Sequence, residues 1–246
     1  MRRLNEIVCV FRIQLANMRG EVGPFLLAAM VFPSAMYLFA GAVGGAGAAG
    51  GEARLRFLAG SIVLSLSLTS ISWLGYLMLE NRFTGRLKLF ATLPLASSSY
   101  LCGFLLFALA QGALSTVALL VVGRLAGVPV RPSVAPLALV VVLTTLCLCG
   151  LGALVAARAR SFTEGALMTD ALGAGLVFLA PVYYGPEAMP GWLAAASRWL
   201  PTTFAAGAVS TTLEGGHEVY GAAAALALTA AATLALGLRL TNWRED

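Results

Sequence analysis

The chain has 246 residues, 59% of them hydrophobic and only 11% charged, with a mean hydropathy of +0.87. Soluble domains carry about 25% charged residues, so this supply cannot cover a water-facing surface, and a lipid bilayer is the natural solvent. The formal charge of +5 comes from basic residues scattered between apolar runs, without the clustered Lys/Arg and aromatic partners of a nucleic-acid patch.

The first predicted element is a helix over Met1–Arg19. Leu4, Ile7, Val8, Phe11, Leu15 and Met18 recur at three- and four-residue steps, which is the helical period. Arg2, Arg3, Arg12 and Arg19 flank that stripe. The pattern describes an amphipathic helix lying in the membrane interface, its apolar face in lipid and its arginines near anionic headgroups. A plain membrane anchor is the alternative. No small-residue cleavage site follows Arg2 and Arg3, so the segment does not read as a cleaved signal peptide.

A crossing needs about 20 mostly apolar residues, and six stretches meet that need: 24–43, 57–79, 100–122, 135–157, 166–184 and 220–240. Pro33 is expected to kink the first, and Pro181 to end or bend the fifth. The whole of 1–246 thus reads as one all-α transmembrane domain. Eleven Lys and Arg residues lie on one side of these spans and five on the other. The richer side holds both ends of the chain, together with Arg82, Arg86, Lys88, Arg158 and Arg160. The positive-inside rule therefore puts both termini in the cytoplasm, in agreement with an even number of spans, which requires that they share a side, and the expected location is the cell's inner (cytoplasmic) membrane.

The connections differ in character. Residues 44–56 are Gly/Ala-rich and read as a flexible external loop. Residues 80–98 form a cytoplasmic segment, in which Phe83, Leu87 and Phe90 fall on one helical face beside Arg82, Arg86 and Lys88, until Pro94 stops the helix. A docking knob for a soluble partner and an ordinary solvated loop both fit this spacing. Residues 185–219 form the longest external loop. Pro186, Pro190 and Pro201 punctuate an apolar run with Trp192 and Trp199, so short helices are expected at, or dipping into, the outer surface.

Polar residues inside the spans are few. Ser61, Ser65, Thr69, Ser72 and Tyr76 step by three or four and line one face of the second span. Hydroxyls of this kind serve close helix packing and cross-helix hydrogen bonds, a reading preferred over a face that lines a substrate path; Gln111 in the third span is read the same way. Asp170 is the clearest ionisable residue within a span. Its place near the cytoplasmic end of 166–184 favours interfacial water or pairing with Arg158 or Arg160 over a proton relay.

Chemistry is absent from the motif inventory. No GxxxxGK[ST], GxSxG or HExxH occurs. The four cysteines, Cys9, Cys102, Cys147 and Cys149, lie in apolar or amphipathic segments. The one histidine, His217, is remote from all of them, so neither disulfides nor a metal site is expected. Any work must be driven from outside the chain.

With these features assembled, the chain resembles the membrane (permease) subunit of a type-2 ABC exporter over almost its whole length. The interfacial helix Leu4–Met18 precedes the first span. Glu80, Gly85, Leu87, Leu89, Pro94, Tyr100 and Gly103 are similar to the family pattern E-x-x-x-x-G-x-L-x-L…P…Y-x-x-G. Pro186…Pro190…Trp199-Leu200-Pro201-Thr202 resembles the family's paired re-entrant helices. Phe83-Thr84 stands where a charged or small pair is common, and Arg86 follows the glycine. The resemblance implies a partner: a dimer of ATP-binding-cassette ATPase subunits that binds ATP and Mg, while this chain holds no cofactor. A second membrane subunit, identical or not, would complete the transporter. Asn81–Phe90 would be the coupling helix, with Glu80, Arg82, Phe83, Gly85, Arg86, Leu87 and Phe90 in the docking region. Ser61, Ser65, Thr69, Ser72, Tyr76 and Asp170 would be candidates for the path, and a drug, antibiotic, lipid or glycan for the cargo. A six-span intramembrane enzyme would need a buried catalytic pair, whereas Asp170 stands alone. A channel or secondary carrier would want repeat symmetry or mid-membrane charges, and neither is present.

Overall fold

The computed structural model describes residues 2–18, 20, 22–43, 51–92, 97–184, 187 and 189–240. They form ten helices and, among the described residues, no strand. The helices are α1 (Arg2–Met18), α2 (22–43), α3 (Gly51–Phe83), α4 (Arg86–Thr92), α5 (Ser97–Leu125), α6 (Val134–Arg158), α7 (Phe162–Phe178), α8 (Gly191–Ser197), α9 (Pro201–Leu213) and α10 (Tyr220–Leu240). The protein is an all-α integral membrane protein. Helices α2, α3, α5, α6 and α10 are each long and apolar enough to cross a bilayer.

The sixth expected crossing, 166–184, is α7. It has 17 residues, about 25 Å at 1.5 Å per residue, somewhat short of the hydrocarbon thickness. It stops because Pro181 offers no N–H and steers the preceding residue out of the helical region. Residues 179–181 turn instead, with Val182 N bonding back to Ala180 O.

Helix α3 is the axis of the bundle. Leu58, Ile62, Val63, Leu64, Leu66 and Ile71 are all 1% exposed or less, and α3 packs against α2, α5, α6, α7 and α9. It is longer than the 57–79 expected for this span. Gly51–Arg56, read as loop, already forms its opening turns, with Glu52 in the first turn where the helix dipole favours an acid. The rest of that loop, 44–50, lies outside the described residues.

Pro33, where a kink is expected, follows a change of helical register. The turn before it, Leu27–Val31, is a π-helix, a register that accommodates the proline ring. Pro33 cannot donate to the carbonyl four residues back, at Ala29. Ser65 Oγ on α3 donates to that carbonyl instead, at 2.6 Å. A second π turn, Leu68–Trp73 in α3, lies against Gly152 of α6. A Cβ at Gly152 would stand 2.9 Å from Ile71 O and 3.1 Å from Ile71 Cα, so only glycine lets the two backbones meet.

The expected short helices of 185–219 are α8 and α9. Pro201 occupies the first turn of α9, where a missing N–H costs nothing. Helix α9 is buried along Thr202, Ala205, Ala206, Val209 and Leu213, while Trp192 and Trp199 are 73% and 84% exposed. Thr202 Oγ1 donates to Leu176 O at 2.6 Å, pairing a carbonyl in the last turn of α7. Pro186 lies outside the described residues.

Removing the Ser65 hydroxyl should expose the cost of an orphaned carbonyl. Interhelical hydrogen bonds in membrane bundles average about 0.6 kcal/mol, and an unpaired buried acceptor costs about 1–3 kcal/mol. Ser65→Ala is expected to lower stability by about 1–2 kcal/mol in detergent unfolding, and Ser65→Thr by less.

Candidate functional site

At one end of the bundle the chain turns sharply between α3 and α4. The expected single helix over Asn81–Phe90 is divided here, and the cause is local. Thr84 N and Thr84 Oγ1 both bond to Glu80 O, at 2.9 and 2.6 Å, closing α3. Gly85 then adopts φ +76°, a left-handed conformation that favours glycine and ends helices. Lys88 N bonds to Gly85 O at 3.0 Å as α4 begins. Phe83 and Phe90 consequently belong to different helices and do not share a face.

The elbow is anchored on three sides. Arg82 Nη1 donates to the carbonyls of Ala156, Ala157 and Ala159, at 3.0, 3.2 and 3.0 Å. These carbonyls end α6, where no intrahelical donor remains and the dipole favours a cation. Arg86 Nη1 pairs with Glu80 Oε1 at 3.1 Å across the turn. With side chains 49% and 23% exposed, that pair contributes at most about 1 kcal/mol. The Phe90 ring meets Tyr100 of α5 edge-on at 5.3 Å, and Tyr100 Oη accepts from Asn81 Nδ2 at 3.2 Å. Tyr100 and Asn81 are buried, so the elbow is tied to α3, α5 and α6 together.

What the elbow presents outward is mixed. Phe83 is 41% exposed, with the Arg82 guanidinium carbon 5.3 Å from its ring centroid, within cation–π range. Arg86 and Lys88 are exposed beside it. The side chains of Leu87 and Leu89, and all of Pro94, lie outside the described residues.

Gly103, three residues beyond Tyr100, marks where α1 docks. A Cβ there would stand 2.6 Å from Val10 side-chain carbons, so the glycine makes room for Val10. Ser99 Oγ donates to Glu6 Oε2 at 2.8 Å on the same contact. Helix α1 thus turns Val10 and Gln14 inward, and leaves Leu4, Val8 and Leu15 exposed.

The hydroxyl stripe of α3 divides. Ser61, Ser65 and Thr69 are at most 1% exposed and donate to the carbonyls of Phe57, Ala29 and Ser65. Ser72 sits against α7, its Oγ 3.5 Å from Thr169 O. Tyr76 is 39% exposed and stacks edge-on with Phe162 at 5.0 Å. Ser67, not on the stripe, donates to Gly173 O of α7 at 2.8 Å; as one serine in an apolar run it carried no signal. Gln111 is buried in α5, with no partner among the described residues for either amide atom.

Asp170 lies eight residues beyond the start of α7, about 12 Å along the axis and deeper than a start at 166 implied. Its side chain is exposed on the outside of the bundle, without the expected Arg158 or Arg160 pairing among the described residues. Arg160 instead offers its backbone N–H to Glu164 Oε2 at 3.1 Å, and Ser161 Oγ caps α7 by accepting from Glu164 N. Around Asp170, Leu167 and Met168 are 66% and 51% exposed. Among the described residues no three His, Cys, Asp or Glu side chains form a metal-binding group.

Arg82 should matter as a cap before it matters as a charge. Hydrogen bonds from a charged group contribute about 1.5–3 kcal/mol, and part-exposure reduces this. Arg82→Met is therefore expected to lower stability by about 1–2 kcal/mol and to speed amide exchange in the last turn of α6. Arg82→Lys should recover part of the loss.

The chain was compared with known families. The family model described as ABC-2 type transporter matches residues 6–213, from inside α1 to the last residue of α9. No curated protein matches it.

Proposed function

The chain belongs to the ABC-2 type transporter family, and from that premise we propose that it is the permease of an ATP-driven exporter for amphipathic or hydrophobic cargo. It is a multi-pass membrane permease subunit of an ABC transporter, a transport component that is not itself catalytic. The family implies association with an ATPase subunit. The proposal adds where that subunit docks, how its motion is passed on, and what crosses.

The observation that carries the docking reading is the rigid elbow at Phe83–Arg86. An exposed aromatic flanked by cations is a suitable knob for a groove on a soluble partner. Its mount is stiff, because Arg82 holds the end of α6 and Phe90 abuts Tyr100 of α5. A push on α4 is then delivered to α3, α5 and α6 together instead of being absorbed in a loop. ATP binding and hydrolysis in the partner supply the differential energy that shifts the bundle between states.

The proposed path runs along the exposed side of α3 and α7, closed by a second membrane subunit. Tyr76, Leu167, Met168 and Asp170 are exposed there, with Ser72 in the seam behind them. Apolar side chains around one carboxylate suit an amphipathic cargo. Ser61, Ser65 and Thr69 would support this wall from within the bundle. The elbow and both termini are placed in the cytoplasm on the basic-residue asymmetry, in the cell membrane.

Co-purification with the ATPase tests the docking reading. In vesicles, Phe83→Asp and Leu87→Asp should each abolish stimulation of ATP turnover by the permease; unchanged turnover in both would overturn it. Orientation has its own test. A cysteine at position 86 should react with an impermeant reagent only from the cytoplasmic side, and one at position 187 only from outside.

A further inference from the structure

Beside the elbow, the packed face of α1 contains an anomaly. Gln14 points into the protein and is 2% exposed, yet its Nε2 donor has no hydrogen-bond partner among the described residues. A buried amide donor left unpaired costs free energy, so its surroundings should supply an acceptor. Gln14 lines a partly open cleft of about 110 Å³ between α1, α3 and α4. A single water needs about 10–15 Å³ on this measure, so the cleft admits a group of several heavy atoms.

The cleft has two chemically different walls. Gln14, Asn17, Glu80, Asn81 and Arg86 make the polar one, and Trp73, Leu77 and Phe107 the apolar one. The polar wall carries one cation and one anion, Arg86 and Glu80, 3.1 Å apart, together with neutral amides. Helix α1 beside it exposes Leu4, Val8 and Leu15, the apolar face expected to lie in the membrane interface.

We propose that this cleft binds the headgroup of a zwitterionic phospholipid bearing a primary ammonium, a phosphoethanolamine lipid. The phosphodiester oxygens would accept from the Arg86 guanidinium and, once its amide turns into the cleft, from Gln14 Nε2, and the ammonium would donate to the Glu80 carboxylate. The glycerol end would rest on Trp73 and Leu77. An anionic headgroup without the ammonium would meet Glu80 uncompensated. A choline headgroup has no N–H to offer it. The inference uses the membrane setting and not the docking proposal, and its test needs no ATPase.

The full chain, delipidated in detergent, is titrated with phosphatidylethanolamine, phosphatidylcholine and phosphatidylglycerol of identical acyl chains, and bound lipid is counted by native mass spectrometry. Charge-assisted hydrogen bonds at Glu80 predict an ethanolamine preference of about tenfold over choline. Glu80→Gln should abolish that preference, and Gln14→Leu should weaken ethanolamine-lipid binding at least about tenfold, the worth of one hydrogen bond to a charged phosphate. Equal affinities for the three lipids, or tightest binding of phosphatidylglycerol, would overturn the proposal in the unmodified protein alone. An ethanolamine preference unchanged in both variants would show that the lipid sits elsewhere and would overturn it too.

Discussion

In hydrocarbon a backbone carbonyl that loses its helical donor has no water to turn to. The architecture of this protein depends on how it meets that constraint. Pro33 deprives Ala29 O of its amide, and Ser65 of α3 supplies a hydroxyl across the helix interface. Leu176 O near the end of α7 receives Thr202 from α9. The last carbonyls of α6 receive Arg82. Each repair comes from a helix other than the one repaired, two of the three from α3, so satisfying the backbone also ties the bundle together. Cross-helix hydrogen bonds in membranes are individually weak, but the buried one from Ser65 also pairs an acceptor that water does not reach.

Small residues set how closely these partners approach. Gly152 lets α6 lie on the π turn of α3, and Gly103 lets Val10 of α1 seat on α5. Dispersion and these polar ties hold the helices, since lipid tails leave little hydrophobic drive between them. The same economy explains the elbow. Gly85 reverses the chain without strain, and Arg82 converts an unpaired helix end into a fixed support. If the soluble partner docks there as proposed, an elbow bonded to three helices passes a displacement into the spans better than a free loop.

The pattern residues carrying the family resemblance acquire physical reasons from this arrangement. Glu80 closes the turn by its carbonyl and pairs with Arg86 by its carboxylate. Tyr100 clasps Asn81 and Phe90, and Gly103 accommodates α1. Their roles are mainly those of a mount. Under the proposed docking, the surface left for the partner is smaller, centred on Phe83 and its neighbouring cations.

Sequence by itself determined the solvent and most of the elements. Runs of apolar residues long enough to cross a bilayer declare themselves through local hydropathy, and the stripe of α1 through its period. Gly85 and Pro181 act on their own neighbours, yet the break that Gly85 makes within 81–90 went unread because a spacing pattern does not report φ. Tertiary structure alone decided the partners. Ser65 and Ala29 are 36 residues apart and Arg82 and Ala159 are 77 apart, and nothing in the local pattern of either member names the other. Ser65 read as a residue for close helix packing or for the path, and Arg82 as part of the docking segment, with no carbonyl named for either. Long-range packing turned both into backbone donors. It also turned Gln14 inward, away from the polar face that its helix would otherwise offer to water.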